Sequence, residues 1–338
     1  MQSLNRSISL GAHSSIFYIG TPRMHLSRLG LDNRTLSACR DVDASRLAKR
    51  LSYVCASTTA AFASGHTRLM HFPSLVFRLY SIFTNMPTDS QKYLVGLVSP
   101  ETLTAAESEE LHPTRIDYES CDILEIRYDF FDESEWPGLS ARIRKLVPNA
   151  IQLGTIRLKR DGGTFPDVRA IERLGLFEQI LSASDVPEWL DLERDCLHDY
   201  DKLRELATPK GVKILISEHN FTRIPSDLEL KNYLTDVKRV KADGIKIAAM
   251  SNSDDDCSRL YKFAKRAKGF KFIAAFGMGE TGKTSRIWSL KEGANLTYGS
   301  IGTAAAPGQI DVALMRKAID RLENTSSQLE ISSFLDTF

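Results

Sequence analysis

From residue 91 onward, short apolar, β-prone runs alternate with segments of helical period, eight times over. The runs are bracketed into one span, 91–325, and their polar residues tend to fall two apart near the run ends. These observations predict an α/β protein of the (β/α)8 TIM-barrel class. Strand–helix alternation implies parallel strands with right-handed crossovers, and eight units over 91–325 suit a closed barrel, typically ~250 residues. An open doubly wound sheet of eight strands meets the first two observations but leaves the third without a reason.

In chain order the strands are expected at Tyr93–Ser99, Ile123–Asp129, Ala150–Arg157 and Trp189–Asp195, then Lys213–His219, Gly244–Met250, Phe272–Met278 and Asn295–Ile301. Between them lie helices such as Asp227–Lys241, with Leu230, Tyr233, Leu234 and Val237 on one face. Another is Ser253–Lys268, with Leu260, Phe263, Ala264 and Ala267 together. Residues two apart share a strand face. Glu125, Arg127 and Asp129 therefore form one inward set, as do Thr155 and Arg157, Asp191, Glu193 and Asp195, and Ser217 and His219, while Lys246 stands alone among apolar neighbours. In a barrel such groups converge at the carboxyl ends of the strands, where catalytic residues sit. Charges inside apolar strands are costly unless paired or used.

The amino-terminal region has a different texture. Residues 1–85 hold ten Lys/Arg, three Asp, no Glu and thirteen Ser, a net +7 against +1 for the whole chain, so the remainder is near −6. Arg- and Ser-rich, acid-poor composition fits a targeting segment, and equally a region upstream of a true start at Met86. The expected organisation is a non-globular, disordered extension over 1–90, a catalytic barrel over 91–325 and a C-terminal tail over 326–338. The near-neutral overall charge gives no basic excess of the kind a nucleic-acid binder shows. No apolar run reaches the ~18 residues of a membrane span. Five scattered cysteines (Cys39, Cys55, Cys121, Cys196, Cys257) show no metal-ligand spacing and read as free thiols in a reducing, cytoplasmic compartment.

Lys246 carries the chemistry. A lysine drawn into an apolar interior loses hydration, its pKa falls, and its amine becomes a nucleophile toward a carbonyl. A lone strand-end lysine is more often paired, here to Glu125 or Asp129. His219 on the neighbouring strand end moves the reading toward imine chemistry, because an imidazole titrates near neutrality and serves as general acid–base. Gly277 to Thr284 also satisfies the phosphate-cradling pattern G-x-x-x-x-G-K-[ST]. Only one further strand follows it, so a nucleotide-hydrolysing fold has no room. The same backbone amides and the nearby Arg286 suit a carboxylate.

Seven pieces then line up in order: Glu125-Ile-Arg127-Tyr-Asp129; Thr155-Ile-Arg157 with Lys159-Arg-Asp161-Gly162-Gly163; Asp191-Leu-Glu193; Ser217-Glu-His219-Asn-Phe221; Lys246-Ile-Ala248; Met278 through Arg286; and Ala306-Pro307-Gly308-Gln309. From about Tyr93 to Leu322 the chain resembles the type I 3-dehydroquinate dehydratases, Schiff-base lyases of the shikimate pathway. The resemblance implies that Lys246 forms an imine with the substrate ketone and that His219 is the general acid–base, with Asp161 an acidic residue near it. It further implies that Glu125, Arg127 and Arg157 bind ring hydroxyls, and that Arg286 pairs with the substrate carboxylate beside Gln309. No cofactor and no metal is implied, since the lysine is the electron sink. The implied partners are a small-molecule substrate and a second copy in a homodimer, with no nucleic acid and no membrane. Three positions depart from the family pattern: Asp161 stands where Glu is usual, Ala305 replaces a serine, and Glu218 precedes the histidine. Another lysine-dependent aldolase, or a paralogue that only binds shikimate-type acids, are the competing readings.

Overall fold

The structure, a computed structural model, describes residues 91–109, 112–253, 255–302 and 308–337. The expected extension over 1–90, and Ala305, lie outside the described residues.

The eight strands are β1 (Tyr93–Val98), β2 (Ile123–Arg127), β3 (Ile151–Thr155), β4 (Trp189–Glu193), β5 (Lys213–Asn220), β6 (Gly244–Met250), β7 (Phe272–Met278) and β8 (Leu296–Gly299). They form one sheet in the order β7-β6-β5-β4-β3-β2-β1-β8. Neighbouring strands pair in parallel, as the alternation with helices requires. Asn295 ties the two ends together. Its backbone N–H donates to Ile273 O at 3.0 Å, and its side-chain Oδ1 accepts from Ile273 N at 2.8 Å. The architecture is the (β/α)8 barrel.

Period-2 patterning separates two apolar cores. Outward residues such as Leu124, Ile126, Ile214, Ile216, Ile245 and Ile247 join the large core under the helices. Inward residues Tyr93, Ile123, Ile151, Trp189, Leu215, Phe272 and Tyr298 belong to a second core within the barrel. Helices follow local signals. Ser226 caps Asp227–Arg239 in a capping box with Glu229, and the same helix buries Leu230, Tyr233, Leu234 and Val237.

Strand ends differ from expectation where a side chain is diverted to another task. Ser99 leaves β1 because it caps the helix Pro100–Ser108. β2 stops at Arg127, and Asp129 turns over the strand ends to accept from the backbone N–H groups of Arg157 at 3.2 Å and Thr164 at 2.9 Å. β4 stops at Glu193, and Asp195 is an exposed partner of Arg160 rather than an inward group. The helix expected over Ser253–Lys268 begins at Ser258, since the Asp256 carboxylate accepts from Asn252 N at 3.0 Å and holds the preceding turn. Within the C-terminal tail, residues Gln328–Leu335 form a helix that buries Ile331 and Leu335.

Candidate active site

Lys246 projects from the middle of β6 into the barrel and is 5% exposed. Its Nζ lies 3.6 Å from Glu125 and 3.7 Å from Asp191, and 4.1 Å from the centre of the Tyr298 ring. Burial lowers its pKa, the two carboxylates oppose that, and Arg157 and Arg127 reinforce it; the amine ends below the ordinary lysine range. The expected pairing with Glu125 is present. The alternative pairing with Asp129 is not, because Asp129 accepts both Nε and Nη2 of Arg127, at 2.9 and 2.8 Å.

Arg157 continues past the end of β3 into the same chamber. Its Nη1 donates to Ser217 Oγ at 2.8 Å and lies 3.2 Å from Glu193, while Nη2 is 2.8 Å from Asp191. Ser217 in turn donates to Asp191 at 2.5 Å. Burial alone would raise the Asp191 pKa, but Arg157, Lys246 and Ser217 together hold it below the usual carboxylate range. Glu193 is also paired to Arg173, which arrives from the helix Arg173–Ser182 and donates to Ile156 O at 3.0 Å.

His219 sits near the end of β5. Burial first, then Arg157, Lys246 and Arg127, push its pKa well below the ordinary imidazole value, which favours the uncharged ring. Its plane lies parallel to Phe221, with ring centres 6.3 Å apart. The Phe221 ring fills the space a side chain would need at Gly162, whose φ of +82° favours glycine there. This packing brings the Lys159–Asp161 turn against β5. Burial and then Glu193 push the Asp161 carboxyl up to about 6. No hydrogen bond joins Asp161 to His219, and both Asp161 Oδ2 and His219 Nδ1 are buried without a hydrogen-bond partner. Glu218, on the outer face, pairs with Arg194 at 2.7 Å and takes no part in the chamber.

Arg286, in the first turn of the helix Ser285–Lys291, lies buried with its guanidinium 4.7 Å over the Phe276 ring. Nε donates to Gly308 O at 2.9 Å, and burial lowers its pKa to about 10. Gln309 donates to Gly299 O at 3.5 Å, which keeps it at the end of β8. The glycine-rich stretch closes on itself: Gly277 N donates to Ser285 Oγ at 2.7 Å, and Gly282 packs against Gly277.

The structure thus gathers Glu125, Arg157 and Lys246 into one contact group, sets His219 within their field, and commits Arg127 to Asp129 and the Phe130 ring at 4.0 Å. Asp191, Glu193 and Ser217 were legible as inward strand residues but turn out to be the groups that hold Arg157. Tyr298 and Arg173 were missed. Tyr298 had a signal, its place two residues after the inward Leu296; Arg173, on a helix, had none.

A buried amine of lowered pKa among paired carboxylates, with an imidazole whose pKa is also lowered, at the carboxyl ends of the strands is the candidate site of a barrel enzyme. The family model of type I 3-dehydroquinase matches residues 102–326, and the chain belongs to that family. The 3-dehydroquinate dehydratase of Methanosarcina acetivorans is 31% identical over 209 residues, covering 60% of this chain and 86% of the relative. That of Neisseria meningitidis serogroup A is 32% identical over 212 residues, covering 60% and 82%. The crystal structure of 3-dehydroquinate dehydratase from Geobacillus kaustophilus shares the fold with a TM-score of 0.61 at 22% identity, over 70% of this chain and 93% of that one.

Proposed function

We propose that the chain removes water from 3-dehydroquinate to give 3-dehydroshikimate through an imine on Lys246. The observation that carries this reading is the Lys246 amine itself, buried at the barrel centre with its pKa depressed. A free amine can attack the ketone, and the imine then acidifies the neighbouring C–H. His219, neutral, takes that proton and returns it to the departing hydroxyl. Arg286 pairs with the substrate carboxylate through a guanidinium fork, and Gln309 lines the same end. Glu125 and Arg157 meet the ring hydroxyls from the wall opposite Lys246, with Arg127 ordering the strand end through Asp129. Asp161 supports the histidine side. The lysine is the electron sink, so the reaction calls on no cofactor.

The barrel over 91–325, with the helix after it, is proposed to be the catalytic unit of a cytoplasmic homodimer. The test of the chemistry is borohydride reduction in the presence of 3-dehydroquinate, followed by peptide mass analysis. Reduced adduct on Lys246 supports the imine. Turnover with no adduct on any lysine would falsify it, and an adduct formed only with another keto acid would turn the reading toward an aldolase.

A further inference from the structure

Two aromatic rings on adjacent strands each seat one cation of the site. Phe276 of β7 lies under the Arg286 guanidinium, and Tyr298 of β8 lies under the Lys246 amine, 4.1 Å from ring centre to Nζ. The two rings pack at 5.8 Å with planes tilted by 47°. Tyr298 is 3% exposed, and its buried hydroxyl faces Glu125 without a hydrogen bond of good geometry. Burial, then Glu125 and Asp191, hold the phenol neutral far above its ordinary pKa. What the residue presents to Lys246 is the negative face of its ring.

Resting on the imine reading above, we propose that Tyr298 is a catalytic residue of the imine step, its ring face stabilising the positive charge on Lys246 Nζ in the protonated imine. In that step the free amine adds to the ketone carbon and an N–C bond forms. The ketone oxygen leaves as water, and the one proton taken up overall remains as the positive charge of the imine. An ammonium has three N–H donors to share between Glu125 and Asp191; the protonated imine has one. The carboxylates therefore lose hydrogen bonds as the reaction proceeds. A π face needs no N–H, so the ring's contribution survives the change. The desolvated setting strengthens it, since a cation–π contact is worth most away from water.

The experiment replaces Tyr298 with phenylalanine, 3,5-difluorophenylalanine and 3,4,5-trifluorophenylalanine in the full chain. This series withdraws charge from the ring face while keeping its shape, so folding is not at stake. Imine is read as borohydride-trapped Lys246 by intact mass across graded 3-dehydroquinate concentrations. A second readout, independent of the imine, is the pH midpoint for labelling of Lys246 by an amine-reactive reagent. Tyr298→Phe keeps the ring face and sets the reference against which the fluorinated variants are compared. Fluorination is expected to lower the apparent imine-forming constant stepwise, by roughly tenfold across the series, and to move the labelling midpoint down. Trapping that is flat along the series, or already lost in Tyr298→Phe, overturns the ring's role while leaving the imine intact. A parent that traps nothing overturns the imine reading, and with it this one.

Discussion

The barrel interior has two halves of opposite character. At the amino ends of the strands Phe272 packs on Trp189 at 4.2 Å and edge-on to Tyr93 at 5.2 Å, with Ile123 and Ile151 in the same cluster. At the carboxyl ends the fill is ionic: Arg127, Arg157, Arg173 and Lys246 face Asp129, Asp191, Glu193 and Glu125. Aromatic packing gains from both area and ring geometry. Buried ion pairs roughly break even at best, because desolvation offsets attraction. The contrast separates an apolar floor, where area and ring packing favour folding, from a charge layer whose desolvation offsets much of its attraction.

The sharpest way to break the comparison is Lys246→Ala. Removing the amine is expected to cut turnover by roughly 10⁴-fold or more, as loss of a covalent nucleophile does, and to end borohydride trapping. Glu125 and Asp191 are buried and lose one counter-charge, which costs stability, but Asp191 keeps Arg157 at 2.8 Å and Ser217 at 2.5 Å, and circular dichroism checks that the variant is folded. Parental turnover in this variant would end the lysine mechanism. Phe272→Ala makes the reverse demand on the floor. It should cost about 3–5 kcal/mol of stability through the cavity it leaves, measured by denaturant unfolding, while the folded fraction still traps imine. A loss of less than about 1 kcal/mol would show that the floor is not where the stability lies.

The two halves were also unequally legible. Alternation fixed which residues point inward, so Glu125, Thr155, Asp191, Ser217 and Lys246 were placed correctly by period alone. Period says nothing about which carboxylate an arginine chooses. Arg127 takes Asp129, two residues on, whereas Arg157 reaches across to β4 and β5, and only packing distinguishes them. Asp129 and Asp195 kept the inward parity of their strands on paper but left it in space, because each chain turns at the strand end to satisfy backbone or surface partners. Arg173 enters from a helix that follows an irregular loop, where no strand period applies.

Arg286→Lys keeps the charge and loses the fork. Lysine cannot make two parallel hydrogen bonds to a carboxylate, and a charge-assisted bond is worth roughly 1.5–3 kcal/mol. The Michaelis constant should rise about tenfold or more, with smaller change in turnover number. An unchanged Michaelis constant would remove Arg286 from carboxylate binding.

The smallest expected effect is at Asp161, at the edge of the charge layer. Burial and then Glu193 raise its pKa to about 6, although Arg157 and, at 3.7 Å, Arg160 oppose the rise. A carboxyl whose folded pKa exceeds its unfolded value of about 3.9 binds more protons folded than unfolded, so stability falls as pH rises from about 4 to about 6. Asp161→Asn removes that penalty. At pH 7 the variant should be more stable than the parent by about 1–2 kcal/mol, below the ceiling set by a two-unit shift, and at pH below 4 the two should unfold at the same denaturant concentration. The same change should lower turnover, and should erase the limb of the parental pH–rate profile that rises through about pH 6 as Asp161 ionises. Stability gained together with activity lost is what a functional charge held at a cost looks like. Equal stability of parent and Asp161→Asn at both pH values would mean that Asp161 is ordinary and that the cost of the layer lies elsewhere.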